Sequence, residues 1–246
     1  MIFDDSPSDW HQLEARVAQT FNEMGCKATT DVTISKIRSN SLIDVYVEDP
    51  TLSPPAIYLC ECKYWRKSVH KGVVQQFRTI ISDAGANLGI IISQKKFQSG
   101  AYEEADKTNV RLYSWLDFQK AFAERWTNAM VQSLERLRRE CDYLQFEAYA
   151  TDSTPEADRL TRELREYMWD KTSLYVEVWK SQERVVQKSQ SVRICETRAK
   201  QTASQKDRWV ELRTKREFFD YAVHLTEELI RKHQERLAIL RAHPPR

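Results

Sequence analysis

Apolar and polar positions follow two different rhythms along the chain, and the rhythm changes near residue 122. In the first stretch Trp10, Leu13, Val17 and Phe21 recur at helical spacing. The preceding run Ser6-Pro7-Ser8-Asp9 reads as a helix start, with Ser as the cap and Pro in the first turn. Gly25 stands where a left-handed residue closes such a helix. Alternation then predicts three strands, at about 28–35, 42–48 and 57–63. A helix follows, with Val69, Val73, Phe77, Ile80 and Ile81 assigned to one face. The run Gly89-Ile90-Ile91-Ile92 within 88–93 reads as a strand buried on both faces. A short helix at 99–107, a strand at 110–113 and a helix from Trp115 complete the series. The order α-β-β-β-α-β-α-β predicts an α/β domain over residues 1–122, a mixed sheet flanked by helices.

Beyond this point the strand pattern largely stops. Trp126, Met130, Leu134, Leu137, Cys141 and Leu144 keep a three-four spacing. After a Thr/Ser/Pro break at 151–155, Leu160, Leu164, Met168 and Val176 resume it, with Trp179 and Val186 further on. Trp209, Leu212, Phe219, Val223, Leu229, Ile230, Leu237 and Leu240 form a third run. The polar segment 181–207 reads as a bend or mobile stretch, and 175–179 (YVEVW) favours strand by composition. Residues 123–246 are therefore expected to form two or three long helices, an α-helical bundle or coiled coil serving oligomerisation or partner binding.

Composition removes several function classes. A net charge of +2 gives no general basic signal for nucleic acid, so any such function must rest on a site. No apolar run is long enough to cross a membrane, and the acidic N-terminus lacks the layout of a signal peptide. Five cysteines without a CxxC pair suggest reduced thiols and a cytoplasmic protein. No Gly-rich phosphate loop is present, which argues against ATP hydrolysis.

The candidate chemistry lies in two of the predicted strands. In Leu42-Ile43-Asp44-Val45-Tyr46-Val47 the alternation puts Ile43, Val45 and Val47 on a buried face and Asp44 on the other. In Tyr58-Leu59-Cys60-Glu61-Cys62-Lys63 it puts Glu61 and Lys63 on one face and the two cysteines behind. If the strands pair, Asp44 and Glu61 sit side by side, with Lys63 one step beyond. Two adjacent carboxylates repel, and a hard cation such as Mg²⁺ or Mn²⁺ relieves the conflict. Such a constellation suits phosphodiester hydrolysis. The bare D…ExK pattern also fits an exposed sheet face with a surface ion pair.

The stretch from Trp10 to about Phe122 resembles the Mrr-type restriction endonuclease-like family, within the PD-(D/E)XK nucleases. The matching residues are Leu42-Ile43-Asp44-Val45, Leu59-Cys60-Glu61-Cys62-Lys63-Tyr64-Trp65 and Val73-Val74-Gln75-Gln76-Phe77. Ala84-Gly85-Ala86, Gly89-Ile90-Ile91-Ile92-Ser93, Phe97-Gln98-Ser99-Gly100-Ala101 and Ala105 complete the match. The resemblance implies Asp44, Glu61 and Lys63 as catalytic acid, acid and lysine. It also implies a helix-borne Glu, matched by Glu14 as a further metal ligand, and a Gln after the lysine, matched by Gln76 in preference to Gln75. Ser41-Leu42 stands where many members carry a glycine. Tyr64, Trp65, Arg66 and Lys67 form an aromatic–basic run of the kind that grips nucleic acid, or else a solvated loop.

The expected function is thus a Mg²⁺-dependent DNA endonuclease, with a role in restriction or defence against phage suggested by the family. DNA is the expected partner, with a second copy or another subunit bound through the helical half. Two alternatives stay open: a structure-selective nuclease, resolvase or RNase using the same triad, and a non-catalytic assembly subunit that retains a nuclease fold.

Overall fold

A computed structural model describes residues 1–35, 40–151, 154–188, 191–195 and 209–244 of the chain. The chain divides into two compact units, Met1–Ala129 and Met130–Arg246. The boundary expected after residue 122 and the division after Ala129 both fall within one long helix.

The first unit opens with α1 (Trp10–Glu23). Its cap is Asp9, three residues later than the expected Ser6. The Asp9 carboxylate accepts from the Gln12 amide at 2.8 Å, and the Gln12 side chain accepts from the Ser8 amide at 2.7 Å. A carboxylate at this position satisfies an amide that the helix itself leaves unpaired, so Pro7 stays outside. Gly25 has φ +84°, the left-handed conformation expected of it.

Five strands follow: β1 (Lys27–Ser35), β2 (Asn40–Asp49), β3 (Ala56–Lys63), β4 (Leu88–Ser93) and β5 (Val110–Ser114). They form one sheet in the order β1-β2-β3-β4-β5. The first three are antiparallel neighbours, while β3, β4 and β5 run parallel. Parallel neighbours need crossovers, and α2 (Lys71–Ala84) and α3 (Ser99–Ala105) supply them. The unit closes on the start of α4 (Trp115–Ala150). This is the mixed, helix-flanked sheet that the alternation predicts.

The buried stripe of α2 is Val74, Phe77 and Ile81, with Val73 and Ile80 only partly covered. Val69 precedes the helix and bridges to Phe97 instead. Val69 is nevertheless fully buried in the same core and Val73 packs against it; spacing alone took Val69 into the helix because it does not reveal where a helix begins. α2 closes tightly on β4 at Gly89, where an added Cβ would lie 1.9 Å from Ile81 Cδ1 and 3.0 Å from Phe77 Cε1. Overpacking of this kind costs roughly 1–3 kcal/mol. Gly89→Ala is therefore expected to lower the denaturation midpoint, and an unchanged midpoint would show that α2 does not close on β4 here.

A polar anchor holds the far end of the sheet. Asp49, fully buried at the end of β2, accepts from Thr51 Oγ1 at 2.6 Å, Tyr58 Oη at 2.8 Å and Arg125 Nη2 at 2.7 Å. Trp126 Nε1 donates to Glu23 at 2.6 Å, joining α4 to α1 within the same unit.

The second unit holds the rest of α4, α5 (Pro155–Leu160), α6 (Arg162–Lys188) and α7 (Lys215–Ala242). Thr154 caps α5, and Thr214 with Glu217 forms a reciprocal capping box on α7. Buried Leu174, Val178, Phe218, Phe219, Leu225 and Leu229 supply much of its core. Tyr175 donates to Asp142 at 3.1 Å, Tyr167 bonds Glu228 and Arg241 pairs with Glu147. The β-favouring 175–179 segment is helical, because Leu174, Tyr175 and Val178 are buried there at helical spacing. Trp209 and Leu212 are not helical. They belong to β7 (Trp209–Leu212), which pairs antiparallel with β6 (Val192–Cys195). Over four residues a helical period and a strand period are hard to separate, and the pairing partner decides. Of the expected bend at 181–207, residues 189–190 and 196–207 lie outside the described residues.

Candidate functional site

The ladder between β2 and β3 pairs Val45 with Cys60, Tyr46 with Leu59 and Val47 with Tyr58. Carried one step on, this register sets Asp44 against Glu61. The ladder stops there because Asp44 takes over a backbone donor. Its Oδ2 accepts from the Cys62 amide at 2.7 Å. Lys63, two residues after Glu61 and on the same strand face, pairs with the Glu61 Oε1. Both side chains are mostly covered, at 16% and 18% exposure. Behind them Cys60 and Cys62 are free buried thiols, which burial pushes up and keeps protonated.

The carboxyls are held in a costly state. Burial pushes Asp44 above its ordinary value against the Cys62 amide and the Lys63 charge, and Asp31 adds repulsion. Burial and the charge of Asp44 push Glu61 up as well, opposed by Lys63. Glu14, on the buried side of α1 with only 6% exposure, is pushed up to about 7. Burial leads, followed by repulsion from Asp44, Asp31 and Glu61. Glu14, Asp44, Glu61 and Lys63 thus share one electrostatic neighbourhood.

Asp31 was not legible as part of this site. Thr30 pairs with Val45 and Val32 with Ile43, so Asp31 is the residue set against Asp44. Its φ of +56° is left-handed, a conformation Asp tolerates better than most side chains. The count from Asp44 back along the hairpin is the only sequence signal, and it requires the register.

The remaining candidates are placed differently. Gln75 and Gln76 are both exposed on α2. Gln75 bonds Glu104 on α3 at 3.0 Å. Gln76 makes no hydrogen bond to Asp44, Glu61 or Lys63. The Tyr64 hydroxyl donates to the Ser8 carbonyl at 2.8 Å and fixes the N-terminal segment. Trp65 is half exposed, with Lys63 Nζ 5.3 Å from its ring centre. Arg66 lines an open cleft of about 490 Å³ together with Lys95, Lys96, Gln94 and Ser68, and no acid lines it. Gln94 continues directly from β4, and its amide donates to the Lys63 carbonyl at 3.1 Å. The cleft therefore adjoins the lysine end of the acidic pair. A larger concavity of about 610 Å³, between Gln75, Arg78 and Glu104, lies away from it.

Among the described residues, no three His, Cys, Asp or Glu side chains converge on the spacing of a closed metal cage. A hard cation that keeps its waters needs only one or two carboxylates. Among the described residues, Asp44 Oδ1 and Glu61 Oε2 take part in no hydrogen bond, while their partner oxygens are held by Cys62 and Lys63. Two free, half-buried, mutually repelling oxygens are the donor chemistry such an ion requires.

The raised carboxyl of Glu14 has a consequence for stability. The folded chain keeps this proton until about pH 7, whereas an unfolded carboxyl releases it near 4.5. The contribution is full below 4.5 and is lost as pH rises through 7. In chelator, Glu14→Gln should therefore stabilise the protein relative to wild type at pH 8 by about 3 kcal/mol, and little at pH 4.5. Equal denaturation midpoints at pH 8 would remove Glu14 from the acidic group.

Residues 6–122 match a restriction-endonuclease family, Mrr_cat. The matched span contains Glu14, Asp44, Glu61, Lys63 and the basic cleft. No curated protein matches the chain. Two solved structures are similar to it in part. One is the crystal structure of a protein of unknown function, at 20% identity and a TM-score of 0.39, covering 44% of this chain and 59% of that one. The other is the DNA modification-dependent restriction endonuclease AspBHI, at 12% identity and a TM-score of 0.26, covering 51% of this chain and 40% of that one. No helix among the described residues is long and apolar enough to cross a membrane.

Proposed function

We propose that the chain, whose residues 6–122 match a restriction-endonuclease family of the Mrr type, is a Mg²⁺- or Mn²⁺-dependent DNA endonuclease acting in restriction or defence against foreign DNA. The observation that carries this reading is the half-buried arrangement of Asp44, Glu61 and Lys63 inside the matched span. Asp44 and Glu61 would hold the cation through their free oxygens. Bound there, it supplies a polarised phosphoryl oxygen and a water of lowered pKa.

The protein's own groups do the rest. The Cys62 amide fixes Asp44, so that carboxylate needs no reorganisation when substrate arrives. Lys63, held against Glu61, presents its ammonium to the scissile phosphate, where it orients the attacking water and balances developing charge. Arg66, Lys95 and Lys96 line the adjoining cleft and would take neighbouring phosphates along the strand. Such contacts position the backbone without reading sequence.

The direct test incubates the full chain with supercoiled plasmid in Mg²⁺, in Mn²⁺ and in EDTA. Nicking or linearisation is expected with either metal and none with chelator. Cleavage of equal rate in EDTA would overturn the metal-dependent reading, and cleavage confined to RNA would overturn DNA as substrate.

A further inference from the structure

The helical unit contains a cavity that the nuclease reading does not use. It measures about 150 Å³ and is lined by Gln145 and Tyr149 of α4, Arg165 and Trp169 of α6, and His233 and Arg236 of α7. No carboxylate lines it. Two of its walls are charged or polar groups withheld from water. Arg236 is only 8% exposed and His233 only 4%. Neither has a hydrogen-bond partner for its inner nitrogen, Nε of Arg236 and Nδ1 of His233. Among the described residues Arg236 has no ion pair either, and its guanidinium stands 5.9 Å from the Tyr149 ring centre.

A buried guanidinium with no carboxylate at ion-pair distance is expensive, and folded proteins rarely keep one without use. Burial and the charge of Arg165 push Arg236 below its ordinary value, only partly offset by Tyr149 and Asp158, so the two cations oppose each other. Arg165 is tied only to Asp158, at 3.4 Å. Burial and Arg236 also push His233 down, which leaves it a neutral hydrogen-bonding group. An oxyanion would relieve the repulsion and satisfy the orphaned donor together. A volume on the order of 150 Å³ suits one small group rather than a whole drug-sized ligand. The remainder of the ligand must then lie at the mouth, where Trp169 is 70% exposed and Tyr149 66% exposed. Exposed aromatic faces beside an anion pocket favour a ligand with a flat ring.

We propose that this cavity binds a mononucleotide, with its phosphoryl group between Arg236 and Arg165 and its base on Trp169.

The test is calorimetric titration of the full chain, in EDTA, with each of the four ribonucleoside monophosphates, inorganic phosphate and adenosine. At least one monophosphate should bind with unit stoichiometry, phosphate about tenfold more weakly or less, and adenosine not measurably. Arg236→Met should weaken the nucleotide about 10- to 100-fold, as expected for loss of a charged hydrogen bond. Trp169→Ala should weaken the nucleotide and leave phosphate unchanged. Because Arg236→Met removes an unpaired buried charge, the unliganded variant should melt no lower than wild type. Nucleotide should raise the melting point of wild type only. Absence of binding by all four monophosphates, binding unaffected by Arg236→Met, or phosphate binding as tightly as nucleotide would each overturn the assignment. A lower melting point for the unliganded variant would make Arg236 structural and overturn it too.

Discussion

Replacing Lys63 with alanine is expected to reduce DNA cleavage by about 10³-fold while the chain stays folded and still responds to Mn²⁺. The first effect follows from the loss of a positioned cation beside the scissile phosphate, which is worth about 10²–10⁴ in rate. The second follows from the geometry. Lys63 pairs with one oxygen of Glu61, and the free oxygens of Asp44 and Glu61 are not its partners. Removing it leaves the proposed ion's donors in place and takes away a competing positive charge. A rise in melting temperature on adding Mn²⁺ should therefore survive in Lys63→Ala. In Asp44→Asn that rise should fall, and cleavage with it. The pair of variants separates holding the ion from acting on the phosphate. Wild-type cleavage by Lys63→Ala would exclude the lysine from the chemistry. A Mn²⁺ response intact in Asp44→Asn would move the ion elsewhere.

Asp49→Asn should cost about 2 kcal/mol of stability at pH 7 without touching the acidic pair. Burial pushes the Asp49 carboxyl up, but hydrogen bonds from Thr51, Arg125 and Tyr58, with the Arg125 charge, outweigh it and hold it down to about 2. An unfolded carboxyl titrates near 3.8. The difference of nearly two pKa units converts to about 2 kcal/mol. A depressed folded value means the contribution is full above 3.8 and vanishes as pH falls through about 2. Denaturation midpoints of wild type and variant should therefore lie well apart at pH 7 and converge towards pH 2. A separation that persists at low pH would assign the loss to packing rather than charge. The stake is structural, because Arg125 reaches Asp49 across 76 residues and fixes the start of α4 to the β2–β3 hairpin.

How much of this was legible in the chain depends on the range over which each feature is decided. Strand alternation has a period of two, so Ile43, Val45 and Val47 alone dictated that Asp44 faces away from the buried side. The same local rule set Glu61 in phase with Lys63. Gly25 announced a left-handed helix end because only local backbone conformation is at issue there. The mixed sheet could likewise be read from the order of patterns, since parallel neighbours demand intervening helices.

What the tertiary structure decided involves partners far apart in sequence. Asp31 joins the acids only because β1 pairs with β2 in one particular register. Glu14 looks like any helix carboxylate until α1 packs and buries it. Residues 175–179 have the composition of a strand, yet burial at helical spacing overrides that preference. Trp209 and Leu212 have the spacing of a helix, yet pairing with β6 makes them a strand. The unpaired guanidinium of Arg236 has no signature at all in a charged helix, because what isolates it is the cavity formed where α4, α6 and α7 meet. Local periodicity fixes which way a side chain points along its own element. Burial, register and the sharing of charge depend on which elements meet, and no single stretch of sequence carries that information.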